Sequence, residues 1–147
     1  MPLERLMVTI GPEDRDHADE LTDVAIDLAS AGATVYLLYV FPREEYDAMV
    51  DEDPGMSRIA PDELASRHES VESSSDRLDD AGIDHEIRGV VGGDLVEQTN
   101  EMLADLDVHH LVIGGRRRSP AGKAVFGDEA QALLLSAPCP VTYVGLD

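Results

Sequence analysis

Short apolar runs rich in β-branched residues alternate along this chain with stretches in which apolar residues recur every three or four positions. Leu6 to Ile10 (Leu-Met-Val-Thr-Ile) stops at Gly11-Pro12, and its length and content predict a buried strand. From Glu13 to Ser30, Ala18, Leu21, Ala25 and Leu28 form one helical stripe. Asp14 or Asp16 is placed to cap its start, and Gly32 follows its end. Ala33 to Val40 is continuously apolar, the mark of a strand buried on both faces. Residues 41–60 hold Pro42, Pro54 and Gly55 and predict a long connection with a helical turn around Glu44 to Val50. Pro61 to Ala81 predicts a second helix, weakened by Ser70, Ser73, Ser74 and Ser75. Asp84 to Val91 is less apolar, as suits an edge strand. A helix from Leu95 to Leu106 follows, capped by Asp94. His109 to Ile113 predicts a fourth strand, Asp128 to Ser136 a short helix, and Pro140 to Val144 a last strand.

This β-α-β-α-β-α-β-α-β rhythm points to one α/β domain over residues 1–147, a doubly wound parallel sheet with right-handed crossovers. Ligands of such sheets sit beyond the carboxyl ends of the strands, where strand order reverses. The loops after strand one (Gly11-Pro12) and strand four (Gly114-Gly115) are the glycine-bearing candidates for that crevice. The second continues into Arg116, Arg117 and Arg118, then Lys123, and reaches a helix at Gly127-Asp128. Strand, glycine-rich basic loop and helix N-terminus together make an arrangement suited to an anion, because backbone N–H groups and the helix dipole converge there.

Charge sharpens that picture. The chain carries 31 Asp and Glu against 11 Lys and Arg, a formal net charge of −20. Four of those 11 cations fall within residues 116–123, and Lys123 is the single lysine. An acidic, lysine-poor surface on a patterned, foldable chain suits a high-salt cytoplasm, where salt screens the mutual repulsion of carboxylates; an acidic interaction surface in an ordinary cytoplasm is the alternative. The same field disfavours nucleic acid as a partner. One cysteine, Cys139, excludes an internal disulfide, and no apolar run is long enough to cross a membrane. The expected location is the cytoplasm.

The spacing Gly114-x2-Arg117-x9-Gly127-Asp128, the Gly93-Asp94 pair and the closing Cys139-Pro-Val141 resemble the universal stress protein family over nearly the whole length. The resemblance implies a five-stranded sheet of order 3-2-1-4-5 with helices on both faces, Rossmann-like. It implies a homodimer through the last strand, where Val141 and Tyr143 would sit. Such pairing would also cover an exposed apolar edge. It places nucleotide contacts at Gly114, Gly115, Arg116, Arg117, Gly127, Asp128 and the Gly11-Pro12 loop, with Val40 near the base. Some family members bind ATP, with Mg²⁺, and others do not.

Three departures bear on that choice. Arg117 stands where the family has glycine, and a Cβ costs about 1–2 kcal/mol if φ must be positive there. Asp128 stands where a Ser or Thr would donate to phosphate, and like charges ~4 Å apart repel by about 4 kcal/mol at an effective dielectric near 20. Gly11 stands where ATP-binding members carry an Asp. The arginines could offset Asp128, or could bridge the chain's carboxylates while Asp128 caps the last helix, with Gln131 three residues on. The expected function is a non-catalytic stress-response or regulatory module with an unidentified protein partner and weak or absent ATP binding. The alternatives are an ATP-binding switch and, further off, a slow nucleotide hydrolase. His109 and His110 adjoin on a strand and point to opposite faces, so no metal site is expected. No catalytic residue stands out.

Overall fold

The computed structural model describes residues 3–12, 14–116 (Arg116 by its backbone) and 128–146. Five parallel strands form one sheet: β1 (Arg5–Ile10), β2 (Thr34–Phe41), β3 (Asp84–Val91), β4 (His110–Arg116) and β5 (Val141–Leu146). Their order is β3-β2-β1-β4-β5, as the resemblance implied. Successive β1 residues show why the runs are apolar without alternation. Leu6, Val8 and Ile10 pack on one face and Met7 on the other, all fully buried. The first face is covered by α1 (Ala18–Leu28), α3 (Pro61–Ser66) and α4 (Glu69–Asp80), through Leu21, Ala25, Leu64, Val71 and Leu78. The second is covered by α5 (Leu95–Asp105) and α6 (Asp128–Ser136), through Leu103 and Leu133.

Four elements depart from the sequence reading. The first helix begins only at Ala18, after a 3-10 turn over Arg15–His17, and neither Asp14 nor Asp16 caps it through a side chain. The connection 41–60 holds a full helix, α2 (Arg43–Glu52), and a 3-10 turn at Pro54–Arg58. α2 buries no residue; Glu45 binds Arg15, and Arg43 Nε donates to the Gly92 carbonyl at 3.0 Å. The helix expected over 61–81 is two helices. His68 leaves the helical path and accepts the Ser70 amide N–H, so α4 starts with its own cap. Finally, β4 runs on through Gly114 and Gly115, which pair with Val144 and Gly145 of β5 rather than turning away.

The serines that weaken α4 on propensity serve its packing. Ser74 is fully buried at the α1–α4 contact, where the Thr22 hydroxyl donates to it at 2.7 Å. Side chains this small let the two helices approach closely. Ser73 donates to Asp19, and Arg77 bridges Asp19 and Asp23 at the rim.

The outer strand β3 is blunted by α3. Asp62 Oδ1 accepts the Gly89 amide N–H at 2.7 Å, so one outward donor of this edge is occupied from within the chain. A Cβ on Gly89 would overlap the Pro61 carbonyl, which is backbone and has little room to move. Gly89→Ala should therefore lose about 1–3 kcal/mol in urea unfolding at constant salt. Gly93→Ala, whose added carbon meets only the end of the Gln98 side chain at 3.3 Å, should lose clearly less.

Candidate functional site

A cleft opens at the carboxyl ends of β1 and β4, enclosing ≈ 520 Å³ with its mouth included. Helices leave the strands toward opposite faces there, which is where a doubly wound sheet binds ligands. The end of β1 contributes Thr9 and the turn Gly11, Pro12 and Asp14. β2 contributes Val40 and β4 contributes Ile113 and Gly114. The first turns of α5 add Leu95, Val96 and Thr99, and α6 adds Glu129, Ala130 and Leu133. The lining combines an apolar slot (Val40, Leu95, Ile113, Leu133) with two hydroxyls and two carboxylates. Such a surface suits a flat, partly apolar group that also offers hydrogen-bond donors.

Asp14 is the residue the sequence reading missed. The glycine at position 11 suggested a loop without a carboxylate, but Asp14 folds back to supply one. Its Oδ2 accepts the Gly11 N–H at 2.9 Å while its own N–H donates to the Gly11 carbonyl at 3.0 Å. The carboxylate is thereby held in the cleft wall, 9% exposed. The available signal was an acidic residue three places beyond Gly11, where the main chain closes a turn of Asp14 N–H onto the Gly11 carbonyl.

Gly114 and Gly115 are both demanded by packing at the end of β4. A Cβ on Gly114 would come within 2.8 Å of Leu146 Cδ1, 2.9 Å of Leu21 Cδ2 and 3.2 Å of Asp14 Oδ1. One on Gly115 would overlap the Tyr143 hydroxyl. Both are glycines within a strand, so that side chains from either side of the sheet can close over them. Gly114 lines the cleft with Gly11, Pro12 and Val40, and Gly115 lies under Tyr143. Arg116 ends β4 opposite Leu146. Asp128 is exposed as the first residue of α6, and its neighbour Glu129 lines the cleft instead. Acids in that first turn suit the helix dipole. Arg117 and Gly127 lie outside the described residues.

Six arginines outside the basic loop already hold carboxylates: Arg5 with Asp107, Arg15 with Glu45, Arg43 with Asp47, Arg67 with Glu63, Arg77 with Asp19 and Asp23, and Arg88 with Glu86. No lysine or arginine lines the described cleft. The cations nearest in sequence are those of residues 116–123.

Other groups are engaged elsewhere. His109 Nδ1 accepts the Glu4 N–H at 3.3 Å, and His110 Nε2 lies 2.6 Å from Thr142 Oγ1. Burial pushes the His110 pKa down and the Cys139 thiol up, which leaves Cys139 a poor nucleophile. Among the described residues no three His, Cys, Asp or Glu side chains gather as a metal site. Among the same residues no helix is long and apolar enough to cross a membrane. Val141 and Tyr143 are half-buried on the outer strand β5 and pack on the sheet face that carries Leu111 and Ile113. Asp14→Ala should lose about 1.5–3 kcal/mol of unfolding free energy, because it leaves the Gly11 N–H without its charged acceptor. Asp14→Asn keeps an acceptor and should lose less; denaturant titration of both variants checks the order.

Comparison with known proteins agrees with this architecture. A universal stress protein of Mycolicibacterium smegmatis (strain ATCC 700084 / mc(2)155) is 40% identical over 79 residues, 54% of this chain and 61% of that protein. The aligned stretch thus spans less than two thirds of that relative. The solved universal stress protein from Archaeoglobus fulgidus superimposes with a TM-score of 0.68 at 25% identity, over 98% of each chain. A universal stress protein solved in complex with cAMP superimposes with a TM-score of 0.65 at 18% identity, over 100% of both chains. The family model described as the universal stress protein family matches residues 3–145, and the chain belongs to that family.

Proposed function

We propose that this chain is a non-catalytic stress-response regulator of the cytoplasm, whose cleft accepts the nucleoside end of an adenine nucleotide and holds a triphosphate weakly or not at all. The observation that carries the reading is the lining of the cleft. Its apolar slot and the Asp14 carboxylate suit a base and a donor-bearing sugar, whereas Asp14 and Glu129 both repel phosphate. The cAMP complex of a structurally similar family member supports a nucleotide of low charge as the occupant. Asp128 adds a third carboxylate at the start of α6. A second reading, an ATP-dependent switch using Mg²⁺, draws on the four cations of residues 116–123, which could gather on a polyphosphate.

Calorimetric titration at high KCl separates the two. Adenosine, AMP and cAMP should bind as well as ATP with Mg²⁺ or better, and saturable low-micromolar ATP binding would favour the switch. Asp128→Ser combined with Arg117→Gly should raise ATP affinity by at least tenfold, since removal of one nearby like charge is worth a few kcal/mol at about 4 Å. An unchanged affinity counts against the electrostatic account.

The regulator acts in this reading as a homodimer through β5. In support, β5 is the outer strand beyond β4, and α6, which joins the two, leaves Leu135 81% exposed. One chain weighs 15.9 kDa, so light scattering at high salt should give about twice that mass. A particle of single-chain mass rules the dimer out.

A further inference from the structure

The corner between α3 and α4 joins a titratable helix cap to a buried aromatic stack. His68 Nδ1 accepts the Ser70 amide N–H at 3.2 Å and lies 2.8 Å from Ser70 Oγ. Its ring stacks at a tilt on Tyr39, with 4.6 Å between centroids, and Tyr39 in turn meets Phe41 edge-on at 4.7 Å. Tyr39 is wholly buried, and the Arg15 guanidinium stands 5.3 Å from its ring centre while holding Glu45 at 2.6 Å. Two buried polar atoms of this cluster, Tyr39 Oη and Arg15 Nε, have no hydrogen-bond partner among the described residues. The cluster is therefore closely packed without being fully satisfied, and such networks tolerate added charge poorly.

We propose that His68 is a proton-sensitive latch, and that a proton taken up at Nδ1 releases the first turn of α4 and with it the α3–α4 corner. A protonated Nδ1 cannot accept, so the Ser70 N–H loses its partner. The new charge would also lie at the positive end of the α4 dipole, where cations are disfavoured. The groups that face His68 from each neighbouring element act in both directions. Arg15, in the turn before α1, opposes a second cation; Glu45 of α2 and Glu69 of α4 favour it. Tyr39 of β2 stays neutral, because burial pushes its hydroxyl up to about 12.

Burial first, and Arg15 second, hold the His68 pKa below its ordinary value. The unfolded chain then takes up the proton more readily than the folded one. The stability this residue contributes is complete above about pH 6.5 and drains as pH falls through the window below it. The release reaches further than one turn of helix. α3 carries Asp62, the acceptor that occupies the outward Gly89 N–H of β3, so acid would loosen the guard on that edge.

His68→Asn tests the latch, since Asn keeps a capping acceptor but does not titrate. Between pH 7.5 and 5.5 at fixed high KCl, the wild type should lose about 3 °C more in Tm than the variant. Amides of Ser70 to Glu72 should become about fivefold less protected from hydrogen exchange in the wild type alone, after correction for intrinsic rates. Equal losses in the two proteins overturn the proposal. An NMR titration of the His68 ring in the native wild type decides the question even where the variant folds poorly. A midpoint below the ordinary value of about 6.5 is expected, and one at or above it overturns the latch.

Discussion

A parallel sheet buried on both faces needs helices on both, and the chain satisfies this by changing direction once. From β1 it moves outward through β2 to β3 with α1, α3 and α4 on one face. It then returns by α5 to the opposite side of β1 and continues through β4 to β5 under α6. Right-handed crossovers leave no other arrangement. At the β1–β4 boundary the covering helices part, and the crevice between them is a by-product of covering the sheet. Its walls are core residues such as Val40 and Ile113, so its shape is set by the same packing that stabilises the fold.

Electrostatics then decides what such a crevice can hold. In a chain this acidic, positive charge is scarce, and most of the arginines outside residues 116–123 are already matched to carboxylates on the surface. Exposed pairs of this kind add little stability each, and less at high salt. Their effect on the cleft is by subtraction: they leave its described walls with carboxylates and hydroxyls but no cation. In the proposed reading, a ligand brings donors and apolar surface rather than concentrated negative charge.

The strands were legible in the sequence because a buried strand needs an unbroken apolar run, and four of the five runs are plain; their order came from the family resemblance alone. The edge strand was legible for the opposite reason: Asp84, Glu86 and Arg88 alternate with less polar residues. Local chemistry was harder to see. Periodicity passes smoothly through His68, and only the turn it caps shows that one predicted helix is two. Gly114-Gly115 reads as a loop because glycine is a turn former, yet both residues are small so that Leu146, Leu21 and Tyr143 can close over a strand. Position 11 reads as lacking a carboxylate because a family pattern is matched position by position, whereas Asp14 reaches the same space from three residues on.

The two borders of the sheet are unequal. At β3 the Asp62 carboxylate occupies one backbone donor and alternate residues carry charge, so a foreign strand finds an interrupted ladder and a charged edge. β5 carries no such alternation, its residues being Val-Thr-Tyr-Val-Gly-Leu. The proposed dimer would thus give the sheet a valence of one. In the proposed homodimer, association through β5 would join two chains, and the guard at β3 would disfavour a further strand at the far border. Part of that guard is a single aspartate, Asp62, on a six-residue helix, and its hold is only as firm as the corner that carries it.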